Sequence, residues 1–160
     1  MTQTPQAVKS RLKGLTGALA ILLALTGYFE GNRLVAYHDI GGVPTICRGI
    51  THGVYMGEVV TVDDCRQMNT AEALKSLAVV DRLTTVRQPD ARRAALADFE
   101  YNVGEGRFAR STVLRKLNAG DIRGACNELS RWVYVKRRVI HWQVVRRATE
   151  RGLCLEGLTR

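Results

Sequence analysis

Residues 30 to 45 read EGNRLVAYHDIGGVPT, and this stretch decides the fold. Glu30 ends an apolar helical run, and the alternating residues after it predict a short strand. That strand runs into Gly41-Gly42, a glycine pair typical of a tight hairpin. Thr45 then lies on the return strand, so the sequence sets a carboxyl group at a helix end against a second one, Asp39, in a hairpin.

Two carboxyl groups in different surroundings are what the hydrolysis of a glycosidic bond requires. A carboxyl group beside apolar surface can keep its proton and donate it, whereas one in a polar hairpin stays ionised. This division makes Glu30 the candidate acid and Asp39 its candidate partner. Acids nine residues apart are common on protein surfaces, so the pair needs support from its neighbours.

The neighbours resemble the catalytic region of the phage-type lysozymes, glycoside hydrolase family 24, whose pattern is Glu, eight residues, Asp, five residues, Thr. Here the three positions are Glu30, Asp39 and Thr45. The resemblance covers roughly residues 28 to 157 and is closest to the signal-arrest-release endolysins of lambda-like phages. Further matching segments are Tyr101-Asn102-Val103-Gly104, Ser111-Thr112, Gly124-Ala125-Cys126, Arg131-Trp132 and Val145-Arg146-Arg147.

This resemblance implies an α+β fold, with a small antiparallel β-sheet lobe, a mostly helical lobe and a substrate cleft between them. It implies a muramidase that cleaves the β-1,4 bond between N-acetylmuramic acid and N-acetylglucosamine, with inversion, for host cell lysis. Glu30 would be the general acid, Asp39 would stabilise the developing cation or activate a water, and Thr45 would hold that water. Peptidoglycan is then the substrate, and neither a cofactor nor a metal is expected.

Three further residues match family positions that line the sugar cleft: Tyr101, Asn102 and Ser111. Each has an alternative in which it packs in the core or caps a helix.

The N-terminal residues divide into a basic segment and an apolar run. Lys9, Arg11 and Lys13 precede sixteen uncharged residues, 14 to 29. The run is shorter than the roughly twenty apolar residues that span a bilayer comfortably. It can be a buried core helix, a cleaved signal peptide or a weak anchor that exports the domain and later leaves the membrane. The resemblance favours the anchor, which gives an N-terminal segment 1–29 and a catalytic domain 30–160, held at the periplasmic side of the host inner membrane and then released.

Charge is concentrated in the C-terminal part of this 160-residue chain, whose length and 46% apolar content are ordinary for one globular domain. Residues 107 to 151 contain twelve Lys and Arg against three acids, which accounts for the entire net charge of +9. Such a surface could bind an anionic lipid, an anionic cell wall or nucleic acid, or it could be a solvated basic face without a partner. No nucleic-acid motif accompanies it, so we expect no nucleic-acid partner, and a monomer.

Four cysteines, at 47, 65, 126 and 154, have no zinc-binding spacing, and an even number in an exported chain favours disulfides. Three connectivities are possible. Proximity in the expected lobes favours Cys47 with Cys65 and Cys126 with Cys154, and the alternative is four free buried thiols.

Helix signals continue along the chain. Thr61 predicts an N-cap for a helix to about Leu83, and further helices are predicted over 91–103, 111–117, 121–131 and 141–151. The helix over 91–103 should be the central buried one, ended by Gly104-Glu105-Gly106, and Gly152 should stop the last helix.

The chain departs from the family pattern at Pro44, at Ile50 and across residues 135–142, where the family has a glycine-rich segment. None of these changes removes a catalytic residue, but they touch the hairpin and one rim of the cleft. Two alternatives follow: a catalytically weak lysozyme-like protein that binds cell wall or a partner, and a cationic membrane-disrupting protein acting through residues 131–151.

Overall fold

The computed structural model describes residues 17–39 and 41–158. Lys9, Arg11, Lys13 and the beginning of the apolar run lie outside them. The rest of the run forms helix α1, Ala18–Phe29. The helix ends at Glu30, whose N–H still donates to the carbonyl of Thr26, and Gly31 follows at φ +69°. This left-handed conformation suits glycine and turns the chain away from the helix axis.

The predicted hairpin follows directly. Strand β1, Arg33–His38, pairs antiparallel with β2, Pro44–Cys47, and Tyr37 lies opposite Thr45. A register shift between Arg33 and Tyr37 bends β1. The hairpin covers its own small core, formed by Ala36, Ile46, Cys47, Ile50 and Cys65.

Two long helices form the centre of the molecule. Helix α2, Val62–Leu83, begins with a capping box in which the Thr61 hydroxyl and the Asp64 carboxylate each bond the other's backbone. Helix α3, Asp90–Val103, is buried over most of its length. Its expected central position is therefore confirmed.

The C-terminal half is a series of shorter helices and one small ribbon. They are α4 (Glu105–Ala109), α5 (Thr112–Asn118), α6 (Ile122–Glu128), a 3-10 turn (Leu129–Arg131), strands β3 (Tyr134–Val135) and β4 (Arg138–Val139), and α7 (His141–Cys154).

Three of these features differ from the expectation. A loop was expected after Gly104, but helix α4 begins there at once. The β3–β4 ribbon was not predicted. The stop at Gly152 is wrong, because α7 continues through it to Cys154. Leu153 and Cys154 are buried, and burial of the last turn outweighs the low helix propensity of one glycine.

The main core lies between α1, α2, α3 and the C-terminal helices. Helix α1 contributes Ala18, Ile21, Leu22, Leu25 and Phe29 to it. Together the hairpin and the helical lobe confirm the expected α+β architecture. Across the described ranges, the longest apolar helix is still too short to cross a membrane.

Two disulfides connect elements of the fold. Cys47–Cys65 joins β2 to α2, and Cys126–Cys154 joins α6 to α7. They join the pairs that the sequence favoured.

Candidate active site

Glu30 lies where α1 ends and the chain turns towards the hairpin, and its side chain is 25% exposed. One carboxylate oxygen, Oε2, is 3.6 Å from the position that a Cβ on Gly49 would take. This is ordinary van der Waals contact, so a methyl group at residue 49 would touch the acid without displacing it. Gly49 has φ +79°, and this left-handed backbone is what favours glycine there.

The other oxygen of Glu30 is bound by the guanidinium of Arg146, which comes from α7 and is 2% exposed. Arg146 also donates from Nε and Nη2 to the two oxygens of Asp98 on α3, each at 3.0 Å. Planar, bidentate pairing fixes the orientation of a guanidinium as well as its charge. Glu30 therefore lies against a rigid cation instead of the purely apolar surface expected from the sequence.

A second arginine extends this buried network. Arg147 donates to both oxygens of Glu150, at 2.5 and 2.6 Å, and to the side-chain oxygen of Asn102. Glu150 is also 3.6 Å from Nε of Arg146. The network thus contains three carboxyl groups, Glu30, Asp98 and Glu150, against two guanidinium groups.

Burial and the neighbouring charges shift the pKa of two groups in this network, Arg146 and Glu150. Burial lowers the pKa of Arg146, but the charges of Asp98 and Glu30 outweigh it and hold that pKa above its usual value. Burial raises the pKa of Glu150 to about 8, and the neighbouring Asp98 adds to this while Arg147 opposes it. The raised pKa favours the protonated form of Glu150 at neutral pH, which lowers the negative charge held in the interior.

Asp39 follows β1 and is exposed at the tip of the hairpin. Its Oδ1 accepts hydrogen bonds from the backbone N–H groups of Gly41 and Val43, each at 2.8 Å. Both bonds use the same oxygen, so the carboxylate is oriented by the turn while Oδ2 can still accept a bond from another group.

Thr45 lies on β2 and is buried. Its hydroxyl donates to the carbonyl of Val43 at 2.9 Å. Because the hydroxyl proton is engaged, Thr45 could serve a water molecule only as an acceptor.

A cavity of about 340 Å³ opens between the hairpin side and the helices. Gly49, which adjoins Glu30, and Tyr101 on α3 both line it. The Tyr101 hydroxyl donates to the carbonyl of Arg48 and so connects α3 to the segment after β2. Burial, with smaller contributions from Glu30 and Glu72, raises the pKa of Tyr101, so its phenol stays a donor.

The two other predicted sugar-binding residues have structural partners here. Asn102 accepts from Arg147 in the buried network. Ser111 is buried and caps α5 by accepting from the N–H of Leu114 at 3.1 Å. Of the three, Tyr101 is the one that lines the cavity.

Asp98, Arg146 and Glu150 are residues of this site to which no sequence motif gave a role. A usable signal was present, because Asp98 interrupts the apolar run of the helix expected to be most buried. A buried carboxylate requires a partner. The adjacent arginines of α7 were the best candidates.

The arrangement can perform acid–base chemistry on a bound polymer. It offers one carboxyl group, Glu30, fixed by a cation next to Gly49, which lines the cavity, and a second, Asp39, in a separate, exposed turn. Two such groups flanking a sugar linkage satisfy the requirements of a glycosidase.

Comparison with known proteins gives a consistent result. The sequence model of the family "Phage lysozyme" matches residues 27–150. A SAR-endolysin of Bacteriophage PS119 is 36% identical over 165 aligned residues, covering 98% of this chain and 99% of the relative. A SAR-endolysin of Enterobacteria phage P21 is 36% identical over 159 residues, covering 95% of each.

Solved structures of endolysins have the same fold as this chain. An endolysin from Escherichia coli O157:H7 phage FAHEc1 superposes with a TM-score of 0.75 at 28% identity, covering 87% of this chain and 93% of the other. The active form of the P1 phage endolysin Lyz gives 0.77 at 25% identity, covering 96% and 92%. With a family match over most of its length, relatives of equal extent and the same fold in solved endolysins, the chain belongs to the phage lysozyme family.

Proposed function

We propose that this phage lysozyme acts as an endolysin, hydrolysing the β-1,4 bond between N-acetylmuramic acid and N-acetylglucosamine with Glu30 as its general acid. The family makes peptidoglycan the substrate and favours hydrolysis over a role in wall binding alone. The observation that carries the residue assignment is the environment of Glu30, a partly exposed carboxyl group that is fixed by Arg146 and lies against the cavity-lining Gly49.

Asp39 and Thr45 complete the proposed site. The carboxylate of Asp39, oriented by two backbone N–H groups, would stabilise the positive charge that develops on the sugar or activate a water. Thr45 would accept a hydrogen bond from that water. Attack by water on the face opposite the leaving group inverts the anomeric centre, so the first product should be the α-anomer.

The residue assignment is tested with Glu30→Gln, which keeps the size of the side chain and loses its proton. Hydrolysis of purified peptidoglycan and of chloroform-treated Gram-negative cells should fall by about a hundredfold to ten-thousandfold. Glu156→Gln, an exposed acid in the C-terminal turn, is the matched control and should retain full activity. Substantial hydrolysis by a folded Glu30→Gln protein rules out Glu30 as the acid.

Inversion at the anomeric carbon is tested by a separate measurement. Proton NMR of freshly released reducing ends should show the α-anomer before mutarotation. An initial β-anomer would mean that Asp39 acts as a nucleophile in a retaining mechanism.

The apolar run is proposed to anchor the chain before it acts. The relatives are named SAR-endolysins, which supports a weak signal anchor that holds the enzyme at the periplasmic side of the inner membrane and then releases it as a monomer. Glu30 directly follows Phe29, the last residue of α1. A helix in the bilayer would therefore keep Glu30 at the lipid interface, away from Arg146, and the enzyme would be silent until release.

This regulation is tested by making residues 14 to 29 more apolar. Gly14→Leu with Thr16→Leu does so without changing Gly17, which has φ +85°, or Thr26, which is buried, since substitutions at those two positions would disturb α1 itself. The double variant should be exported, stay in the membrane and fail to lyse, and collapse of the membrane potential should release only the unaltered chain. Lysis by the variant on the normal schedule would exclude the anchor mechanism.

A further inference from the structure

Residues 134 to 139 form a two-stranded ribbon, β3 and β4, that projects from the helical lobe. Tyr134 pairs with Val139 and Val135 with Arg138. All four are exposed, and the apolar ones retain 63%, 54% and 44% of their surface for Tyr134, Val139 and Val135. An apolar ribbon exposed on both faces does not contribute to the core, so its composition needs another explanation.

The ribbon is also strongly basic. Lys136, Arg137 and Arg138 are exposed, and none of them forms a salt bridge with any other residue of the described chain. No acidic residue occurs between 131 and 142. The surface therefore combines uncompensated positive charge with aliphatic and aromatic side chains.

The tip of the ribbon is strained. Lys136 and Arg137 have φ of +47° and +65°, which is the conformation of a two-residue hairpin turn normally occupied by Asn and Gly. Residues with long side chains are unfavourable there. Two adjacent cations are thus held at the tip although smaller residues would suit the turn better.

The base of the ribbon adjoins the candidate active site. Trp142, 43% exposed, stacks on Tyr28 with ring centroids 5.8 Å apart and contacts Phe29 edge-on at 5.3 Å. Phe29 immediately precedes Glu30. The start of α7, which directly follows the ribbon, therefore packs against the end of α1, next to the proposed catalytic acid.

We propose that the ribbon is a docking surface for an anionic lipid bilayer. Its cations match lipid phosphates, and its Val and Tyr side chains match the boundary between headgroups and acyl chains. Valine side chains neither stack on bases nor hydrogen-bond to sugars, so lipid explains the composition better than nucleic acid or glycan does. Docking here would keep a released enzyme at the membrane surface, next to the cell wall.

The test is binding of the full chain to two kinds of vesicle, phosphatidylcholine alone and phosphatidylcholine mixed with phosphatidylglycerol, measured by co-sedimentation at low and high salt. The informative variant is Lys136→Asn with Arg137→Gly, which removes two charges and supplies the residues that the turn prefers. It should fold at least as well as the unaltered chain, which thermal unfolding checks. Arg87→Gln with Arg107→Gln removes two exposed charges elsewhere and is the matched control.

The unaltered chain should bind the anionic vesicles more tightly, and high salt should remove the difference. The ribbon variant should lose about fivefold in partition coefficient for each cation removed, about twenty-fivefold in total, while the control changes little. Equal binding to both vesicle types, or equal binding by all three chains, overturns the proposal, because the apolar N-terminal run alone would give that result. Retained vesicle binding with lost hydrolysis of lipid-free peptidoglycan also overturns it, and would make the ribbon a wall contact. Vesicle binding does not require hydrolysis, so this result is independent of the catalytic assignment.

Discussion

Arg146 binds both oxygens of Asp98 with two parallel N–H groups, each at 3.0 Å, in the interior between α3 and α7. The remaining nitrogen of the same guanidinium reaches Glu30. Asp98 therefore acts on the proposed acid through Arg146 without touching it, as a positioning residue.

Asp98→Asn should lower both stability and turnover. The amide cannot accept both hydrogen bonds, and an unpaired buried donor costs about 1 to 3 kcal/mol in the free energy of unfolding. Loss of the fixed orientation at Glu30 should lower kcat about tenfold to a hundredfold with little change in KM, and alter the pH profile of hydrolysis. Asp81→Asn breaks the more exposed ion pair with Arg93 and should cost no more than about 1 kcal/mol. Unchanged kcat and pH profile in folded Asp98→Asn would remove the positioning role.

Glu150 should make stability fall as the pH rises. Its carboxyl group has an ordinary pKa of 4.5 when unfolded and about 8 when folded, so the folded state binds more protons between these values. The free energy of unfolding should therefore decrease from about pH 5 to about pH 8. Glu150→Gln resembles the protonated carboxyl group and does not titrate, so the Tm of the two chains should be most similar near pH 5, and the Tm of the unaltered chain should fall relative to that of the variant as the pH rises. Tm curves that remain parallel would show that Glu150 is ionised throughout.

Removing the Cys126–Cys154 disulfide should destabilise the end of α7. The bond joins residues 28 positions apart. A disulfide across a loop of that length contributes about 3 kcal/mol to the free energy of unfolding. The Cys126→Ser, Cys154→Ser chain should unfold at lower urea concentration, and the equivalent change at Cys47 and Cys65 serves as a comparison within the hairpin lobe. Coincident urea curves for the unaltered and substituted chains would contradict this.

Gly27 and Arg48 should be energetically coupled. A Cβ on Gly27 would lie 2.8 Å from Nη2 of Arg48, whose Nη1 donates to the carbonyl of Leu23. Gly27→Ala alone should change stability little, because a gain in helix propensity of about 1 kcal/mol offsets a weakened hydrogen bond of about the same size. In an Arg48→Ala background the same change should stabilise by about 1 kcal/mol. Urea unfolding of the four chains measures the coupling, and additive effects would refute it.

Features set by neighbouring residues could be predicted from the sequence. The helix start at Thr61 depends on a partner three residues away, and the hairpin at Gly41-Gly42 depends on its own turn. The surroundings of Glu30 could not be predicted, because Arg146 comes from a helix at the other end of the chain. The β3–β4 ribbon was missed for another reason: Lys136 and Arg137 occupy a turn whose usual signal is Asn-Gly.

The contact between Glu30 and Arg146 joins residues 116 positions apart. Translation makes the proposed acid 116 residues before its cation, so a nascent chain at first carries Glu30 without the partner that fixes it. A chain cut short before α7 would be in the same state permanently. The site therefore cannot be assembled before α7 has been synthesised.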